Sequence, residues 1–422
     1  MWSIRWCGGN TDVCVAQTKG VIMIEKRETQ ILLALLAHEL FGKELPNNIS
    51  TNINWEELLQ EAKDHVVTAL LYDGIKRMEG VPDQVFNRVR GAAIDSAMHF
   101  EMMQRIQQKI IEDLAEKRIP CAVLKGTSVA CCYPHPELRV PGDIDLLVGR
   151  DKVEEACQAL ETASFVRGIE SKKHLDMHRK DAEVELHKIV SEYPELEKAA
   201  WLAEYMEDAL QHVCRQSLSD GEFPMLTKRY QMISLLTHMA DHMEVSGIGL
   251  RQLCDWAVTI HRFRNDIGEE DIALLERCGL LRYASVMTRV CEKYLSLPAF
   301  EWHLDIEEEI VDVVMTEILE SGNFHANRSE WLVAKRMFGL RKNERPEKSS
   351  IVLNYLCNIS SIVKSNCTWA KSPLWIPLFC AYFQFRWLFR VVTGKCKRAS
   401  ISKAIRIAKT HEKLLYDLKL YL

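Results

Sequence analysis

Asp143 and Asp145 lie two residues apart in the segment Gly142-Asp143-Ile144-Asp145-Leu146-Leu147-Val148, and a further carboxylate, Glu185, sits in Val184-Glu185-Leu186-His187. Side chains of a strand alternate between its two faces. Read as strands, the first segment puts Ile144, Leu146 and Val148 on one face and Asp143, Asp145 and Leu147 on the other. The second puts Val184 and Leu186 on one face and Glu183, Glu185 and His187 on the other. Adjacent carboxylates repel each other unless a cation or a proton lies between them. A core built for stability has no use for such a pair. Mg²⁺ does: it takes oxygen ligands, usually one or two carboxylates together with substrate phosphates. If the two strands are neighbours, Glu185 completes a three-carboxylate cup suited to two-ion phosphoryl chemistry, one ion activating the attacking oxygen and the other steadying the leaving group.

The elements that must position this cup begin just upstream. Ile119 to Leu124 reads as a buried strand, and Lys125-Gly126-Thr127-Ser128 turns into Val129 to Cys132, a candidate helix. Glycine lets backbone approach a phosphate closely, and amides at a helix start favour anions. Lys125 and Arg139 are candidates for holding triphosphate oxygens; a charge closing a buried strand is the other reading of Lys125. Pro134, Pro136, Pro141 and Gly142 make the link between turn and strand a loop. His187 shares the face of Glu185, either to touch substrate or as a hydrogen-bonded structural histidine.

Leu-Lys-Gly at Leu124 to Gly126, Tyr-Pro-x-Pro-x-Leu-Arg at Tyr133 to Arg139, Gly-Asp-Ile-Asp-Leu-Leu-Val and Val-Glu-Leu-His together resemble the uncharacterised nucleotidyltransferase family of bacteria and archaea. That family is a branch of the DNA polymerase beta-like nucleotidyltransferase superfamily. The resemblance implies an α/β core with a short mixed sheet, dependence on Mg²⁺ (or Mn²⁺), and transfer of a nucleoside monophosphate from an NTP. Asp143 and Asp145 match the superfamily's paired metal-binding aspartates and Glu185 its third carboxylate. Gly126 with Thr127 matches the Gly-Ser or Gly-Gly turn that grips the triphosphate, here Gly-Thr preceded by Lys125. The motif-bearing part covers about 70 residues, with weaker similarity in Gly249 to Trp256 and Glu320 to Phe324. The acceptor is open: a tRNA end, a protein, a sugar phosphate and a small molecule such as an antibiotic all fit. Two other readings compete: a non-catalytic nucleotide-binding sensor, and a helical interaction protein with a decayed site.

Two other clusters carry histidines at i, i+4: His174 with His178, and His238 with His242 around Asp241. On one helix face that spacing can bind a metal, but for the second cluster a helix facing the active-site cleft is the favoured reading. Arg251 and Asp255 have the same spacing, which suits a helix-surface ion pair or the border of the nucleotide pocket.

Composition bounds the rest. The chain has 422 residues, 47% hydrophobic, with a net charge of -5, which argues against a broad electrostatic grip on nucleic acid. Fourteen scattered cysteines, with no Cys-x-x-Cys, favour reduced thiols in the cytoplasm over a disulfide framework or zinc site. Leu374 to Phe383 is an apolar run of about ten residues broken by Pro377, short of the roughly 20 that a membrane span needs. It reads as a buried helix or, with its basic flank from Arg386 to Arg398, as an interfacial one.

The expected class is α+β: a small mixed-sheet nucleotidyltransferase core embedded in a predominantly α-helical protein. Residues 1–22 read as a poorly structured tail without an apolar signal region, 23–118 as an N-terminal helical region, 119–190 as the core, 191–338 as helices walling the cleft, 339–350 as a linker and 351–422 as C-terminal helices. Individual helices are expected over Ile31 to Phe41, stopping at Gly42, then Trp55 to Met78 and Asp83 to Lys117. The last of these carries the stripe Ile94, Met98, Met102, Ile106, Ile110 and Leu114, read as core. Asp151 and Glu154 suggest a capping box opening a helix to Ala163, and Phe165 to Ile169 a strand. After Pro194 the pattern is helical: Met225 to Glu244, Leu250 to Phe263, Leu280 to Leu295, Ile306 to Glu320, Ile351 to Val363 and Ile401 to Leu420.

Overall fold

The computed structural model describes residues 26–46, 53–218, 221–322 and 400–422, with short stretches between 333 and 389. Residues 1–22, the linker at 339–350, and nearly all of 351–363 and 374–383 therefore lie outside the described residues. No helix of the described residues is long and apolar enough to cross a membrane.

The architecture is α+β. A seven-stranded mixed sheet is formed by β1 (Ala122–Val123), β2 (Ile144–Leu147), β3 (Val166–Glu170), β4 (His174–Arg179), β5 (Ala182–His187), β6 (Val213–Leu218) and β7 (Gly221–Leu226), in the order β3-β4-β5-β2-β1-β7-β6. The main helices among the described residues are α1 (Arg27–Phe41), α2 (Trp55–Asp64), α3 (Tyr72–Arg77), α4 (Asp83–Glu116), α5 (Thr127–Ala130), α6 (Val153–Thr162), α7 (Glu197–Glu207), α8 (Lys228–Val245), α9 (Leu250–Arg262), α10 (Glu269–Arg277), α11 (Leu281–Tyr294) and α12 (Glu308–Ser321), with a C-terminal helix over Ile401–Leu418.

The alternation of side chains decides which sheet face meets which helices. Ile144, Leu146, Val184, Leu186, Leu175 and Met177 point to one face and join the buried C-terminal half of α4 and the inner side of α6 in one apolar core. Leu147, Ala122, Leu124 and Leu226 belong to the larger core that α8, α9 and α11 fill. The central strand β2 lies between antiparallel β1 and parallel β5. Every residue of β2 is buried, so Asp145, its one carboxylate, is held by packing on both flanks.

Several expectations are met closely. α1 stops at Gly42, whose φ of 64° is the left-handed cap glycine allows, and α4, α9, α11 and α12 fall within two residues of their anticipated ends. Other expectations need correction. Trp55 to Met78 is not one helix: the chain leaves α2 through Val66 at φ 57° and re-enters by a short 3₁₀ turn at Thr68–Leu71 before α3. The Asp151 capping box does not form; α6 begins at Val153 and Lys152 occupies the N-cap without a side-chain hydrogen bond. Residues 213–226, anticipated as helical, make the β6–β7 hairpin, and β7 pairs in parallel with β1 through Val123 and Met225.

The α4 stripe is also only half core. Ile106, Ile110 and Leu114 are buried, while Ile94, Met98 and Met102 stay on the surface. A strict four-residue step advances about 40° on a helix of 3.6 residues per turn, so five steps rotate the stripe by roughly 200°. The buried positions Val85, Val89, Ala93, Ser96, Phe100, Met103, Gln107, Ile110 and Leu114 mix steps of three and four and stay on one side.

Candidate active site

β2 and β5 run parallel with Asp145 opposite Glu185 and Leu147 opposite His187. β4 lies on the far side of β5, antiparallel, with Asp176 opposite Glu185 and His174 opposite His187. One sheet face therefore carries a row Asp145–Glu185–Asp176 and, beside it, His187 next to His174. Like charges directly across a strand pair are destabilising, and this face sets three carboxylates in line. Asp143 stands at the open lip just before β2. Oxygens of Asp143, Asp145 and Glu185 all lie within 4.8 Å of one another.

Lys125 answers part of that charge. The amide of Leu124 donates to the Asp145 carbonyl at 3.0 Å, which registers the end of β1 against β2 and brings the next side chain to the cup. The Lys125 ammonium lies 2.6 Å from Asp145 Oδ1. His187, fully buried, places Nε2 3.0 Å from both Asp145 Oδ1 and Glu185 Oε2. The chain then turns at Gly126, whose φ of 62° and ψ of -109° suit only glycine. Gly126, Thr127, Arg139 and Asp143 line one shallow recess, so four of the anticipated residues do converge. α5 beyond Gly126 is a single turn of four residues, and the Thr127 hydroxyl donates to Gln107 Oε1 at 3.0 Å.

The electrostatics follow from this crowding. The Asp143 carboxyl is pushed up to about 6, first by the charge of Asp145 and then by partial burial, against the pull of Lys125. For Asp145, burial works against ionisation, but Lys125 and the hydrogen bond with His187 overcome it and hold the carboxylate well below its ordinary range. Glu185 is lowered in the same way: burial opposes its charge and His187 and Lys125 restore it, against Asp145. Burial also opposes the Lys125 charge, yet the three carboxylates outweigh it and keep the amine protonated.

These shifts give a prediction for an added cation. A Mg²⁺ ion bound through Asp143 would have to displace its proton, so its apparent affinity should be flat above pH 6 and weaken about tenfold per unit below it. Titration of Mg²⁺ by calorimetry from pH 5 to 8 measures this, and Asp143→Asn should flatten the profile. A wild-type affinity independent of pH over that range would contradict it.

Arg139 is placed differently from a free phosphate ligand. Its Nε and Nη2 donate to Asp255 Oδ1 and Oδ2 at 2.7 and 2.8 Å, and the Tyr133 hydroxyl donates to Oδ1 at 2.7 Å. All three groups are buried. Asp255 is therefore not the partner of Arg251 in a helix-surface pair, as the spacing suggested; Arg251 Nη1 reaches the Val140 carbonyl at 3.4 Å instead. Their own position on α9, facing inward, overrides the i, i+4 pattern. His174 and His178 lie on strand β4 rather than a helix, so only His174 joins the site; His178, half-exposed, faces Glu183 at 3.6 Å. His238 and His242 do sit on α8 and stack edge to face with centroids 4.2 Å apart. Burial holds both neutral, aided by the nearby charges of Lys125 and Lys173, so α8 borders the cup. Among the described residues, the His/Cys/Asp/Glu groups that could hold a metal are the three carboxylates and the set His174, Glu185 and His187. The sequence singled out His174 only for a helical spacing with His178; the structure sets it and Asp176 beside His187 and Glu185, and their period-two spacing with apolar Leu175 and Met177 was the available signal.

Comparison with known proteins gives a decisive match. A model of the uncharacterised nucleotidyltransferase family fits residues 51–296, more than half of the chain. The chain belongs to that family. The match contains the carboxylate cup, the Gly126 turn and the Gly249 to Trp256 segment, whereas Glu320 to Phe324 falls outside it. It also extends well beyond the sheet, through α2 on one side and α11 on the other, so helices on both sides of the sheet in sequence belong to the matched span. No curated protein and no solved structure matches. Membership supports nucleotidyl transfer as the general activity, with an NTP as substrate, and the carboxylate group offers the oxygen donors a divalent ion takes.

Proposed function

We propose that this chain is a Mg²⁺-dependent nucleotidyltransferase that moves a nucleoside monophosphate from an NTP to an acceptor hydroxyl or phosphate and releases pyrophosphate. The observation that carries this reading is the convergence of Asp143, Asp145 and Glu185 oxygens within 4.8 Å, flanked by Lys125, in a member of this family. Asp143, Asp145 and Glu185 would hold the metal; when bound, it neutralises triphosphate charge and lowers the barrier to attack at the α-phosphorus.

The chain's own groups do the positioning. Lys125, at the carboxylate cup, and the backbone of Gly126, in the adjoining recess, bind triphosphate oxygens, with Thr127 and Arg139 shaping the recess wall. The acceptor oxygen forms a bond to the α-phosphorus as the bond to the bridging oxygen of pyrophosphate breaks. Glu185, ionised and hydrogen-bonded to His187, takes the acceptor's proton. Positioning and charge stabilisation supply most of the rate in phosphoryl transfer. Lys125→Met should therefore lower kcat/KM by about 10²-fold, much of it through a raised KM for NTP; a KM left unchanged would remove Lys125 from triphosphate binding.

The test is incubation with each of the four α-labelled NTPs, Mg²⁺ and a cell lysate, beside the Asp143→Ala/Asp145→Ala double variant. Label on a macromolecule or metabolite with the unaltered chain alone supports the reading and identifies the acceptor class. NTP binding without label would point to a nucleotide sensor, and neither binding nor label to a helical scaffold with a decayed site; both overturn it.

A further inference from the structure

We infer that the side of Glu185 away from Asp143 carries a second, nitrogen-containing cation site, formed by His174, Glu185 and His187 and suited to a divalent transition metal such as Mn²⁺ rather than to Mg²⁺. The inference concerns cation chemistry alone and goes beyond the transfer reaction.

The first support is how each imidazole is held. A metal-ligating histidine characteristically gives its other ring N–H to a carboxylate or a backbone carbonyl, which fixes the tautomer. His174 places Nε2 3.3 Å from Asp176 Oδ1, and His187 places Nδ1 3.3 Å from the Ile189 carbonyl. Both inner nitrogens converge on one atom: His174 Nδ1 lies 3.3 Å and His187 Nε2 3.0 Å from Glu185 Oε2. Without a cation His187 Nε2 donates to Glu185 and Asp145; a cation bound there takes the place of that proton, as metal binding to histidine generally does, while Nδ1 keeps the Ile189 carbonyl.

The second support is an unpartnered atom. His174 Nδ1 is buried and, among the described residues, makes no hydrogen bond despite its closeness to Glu185. A buried polar atom without a partner is destabilising, and a metal bond would satisfy it. The third is spacing. Ligands bonded at about 2.0–2.1 Å to one ion stand roughly 3.0–3.4 Å apart in octahedral or tetrahedral geometry, which is the separation seen here for both nitrogens against Oε2. The two rings meet edge to face with centroids 5.3 Å apart, so both nitrogens can address the same point. Two imidazoles and one carboxylate suit borderline transition ions, whereas Mg²⁺ prefers oxygen alone.

Local charge agrees. Asp143, Asp145, Glu185 and Asp176 share this face with Lys125 at Asp145, and the neighbouring Lys173 is paired with Asp241 at 3.9 Å, so carboxylates outnumber ammonium groups here. Glu185 belongs to both donor sets, so the proposed ion would sit beside the all-oxygen position and share its carboxylate.

The experiment uses the full chain with Mn²⁺ as the only added ligand and pulsed EPR as the readout. Bound Mn²⁺ should show ¹⁴N coupling from imidazole. His174→Asn, at a partly exposed position, should diminish that coupling and weaken Mn²⁺ by at least about tenfold, while Asp143→Asn keeps the coupling. Should His174→Asn not fold, Asp176→Asn serves: the coupling persists and affinity falls. Absence of Mn²⁺ binding, bound Mn²⁺ without nitrogen coupling, or coupling unaltered by His174→Asn would each overturn the inference. Nitrogen-coupled Mn²⁺ without label transfer defeats only the proposed reaction, and label transfer with an all-oxygen Mn²⁺ site defeats only this inference.

Discussion

Asp145→Asn is expected to lower nucleotidyl transfer by at least about 10³-fold, or roughly 4 kcal/mol of transition-state stabilisation, while leaving the protein folded. Asp145 is the hub of the site: its Oδ1 meets Lys125 at 2.6 Å and His187 at 3.0 Å, and its carboxylate stands opposite Glu185 on the next strand. The amide is nearly isosteric. Its oxygen can still accept from Lys125 and His187, so the packing of a side chain that is 2% exposed is kept. What disappears is the negative charge that draws a divalent ion. Asp143 should respond too: the charge of Asp145 is the first cause of its elevation to about 6, so in the variant its carboxyl should move back toward the ordinary aspartate range. Three measurements check the case together: label transfer, the NMR titration of Asp143, and the thermal shift on adding Mg²⁺. Ligand binding to the native state raises its stability in proportion to RT ln(1 + [L]/Kd), so the unaltered chain should gain in melting temperature with Mg²⁺ and the variant should not. A folded variant that still turns over would end the proposed reaction.

The candidate site was legible where strand periodicity is strong and opaque where it depended on distant partners. Asp143, Asp145 and Glu185 announce themselves because charged residues alternate with Ile144, Leu146, Val184 and Leu186, and period two in apolar surroundings has few other readings. The parallel register that sets Asp145 against Glu185 then follows from burying the same face. His174 was harder. Histidines at i and i+4 satisfy a helical spacing and a strand spacing alike, and only the pairing of β4 with β5 separates them. The β6–β7 hairpin was missed for a related reason. β6 is an edge strand with exposed Cys214, Arg215 and Ser217, and β7 contains Pro224, a residue that demotes a strand reading. It is tolerated here because β1 pairs with β7 only at Val123 and Met225. The surface half of the α4 stripe shows the converse: an apolar row at fixed steps of four reads as one face, although it winds around the helix.

Arg139→Ala is expected to be among the most destabilising single changes in the chain, costing about 3–5 kcal/mol, because it strands a buried carboxylate. No sequence spacing discloses the pair: Arg139 and Asp255 are 116 residues apart. Both guanidinium contacts are close to ideal for a bidentate bond at 2.7 and 2.8 Å, with Tyr133 completing the shell at 2.7 Å. Side-chain exposures of 7% and 6% leave little water to screen the charge that remains after truncation. The consequence reaches the site through the chain itself. Arg139 closes the loop that runs from Tyr133 to Gly142, and the next residue is Asp143, so the bond to α9 fixes where the open lip of the carboxylate cup stands. The variant should therefore melt far earlier and, below its melting point, bind Mg²⁺ more weakly. Arg139→Ala/Asp255→Leu should recover a large part of the lost stability, since replacing both partners removes the unpaired charge. Tyr133→Phe should cost about 1 kcal/mol, the typical net worth of one hydrogen bond. Urea unfolding of the four proteins gives the comparison. A direct phosphate ligand would behave otherwise: Arg139→Ala would then raise the KM for NTP with the unfolding midpoint unmoved, and that result would return Arg139 from the scaffold to the triphosphate.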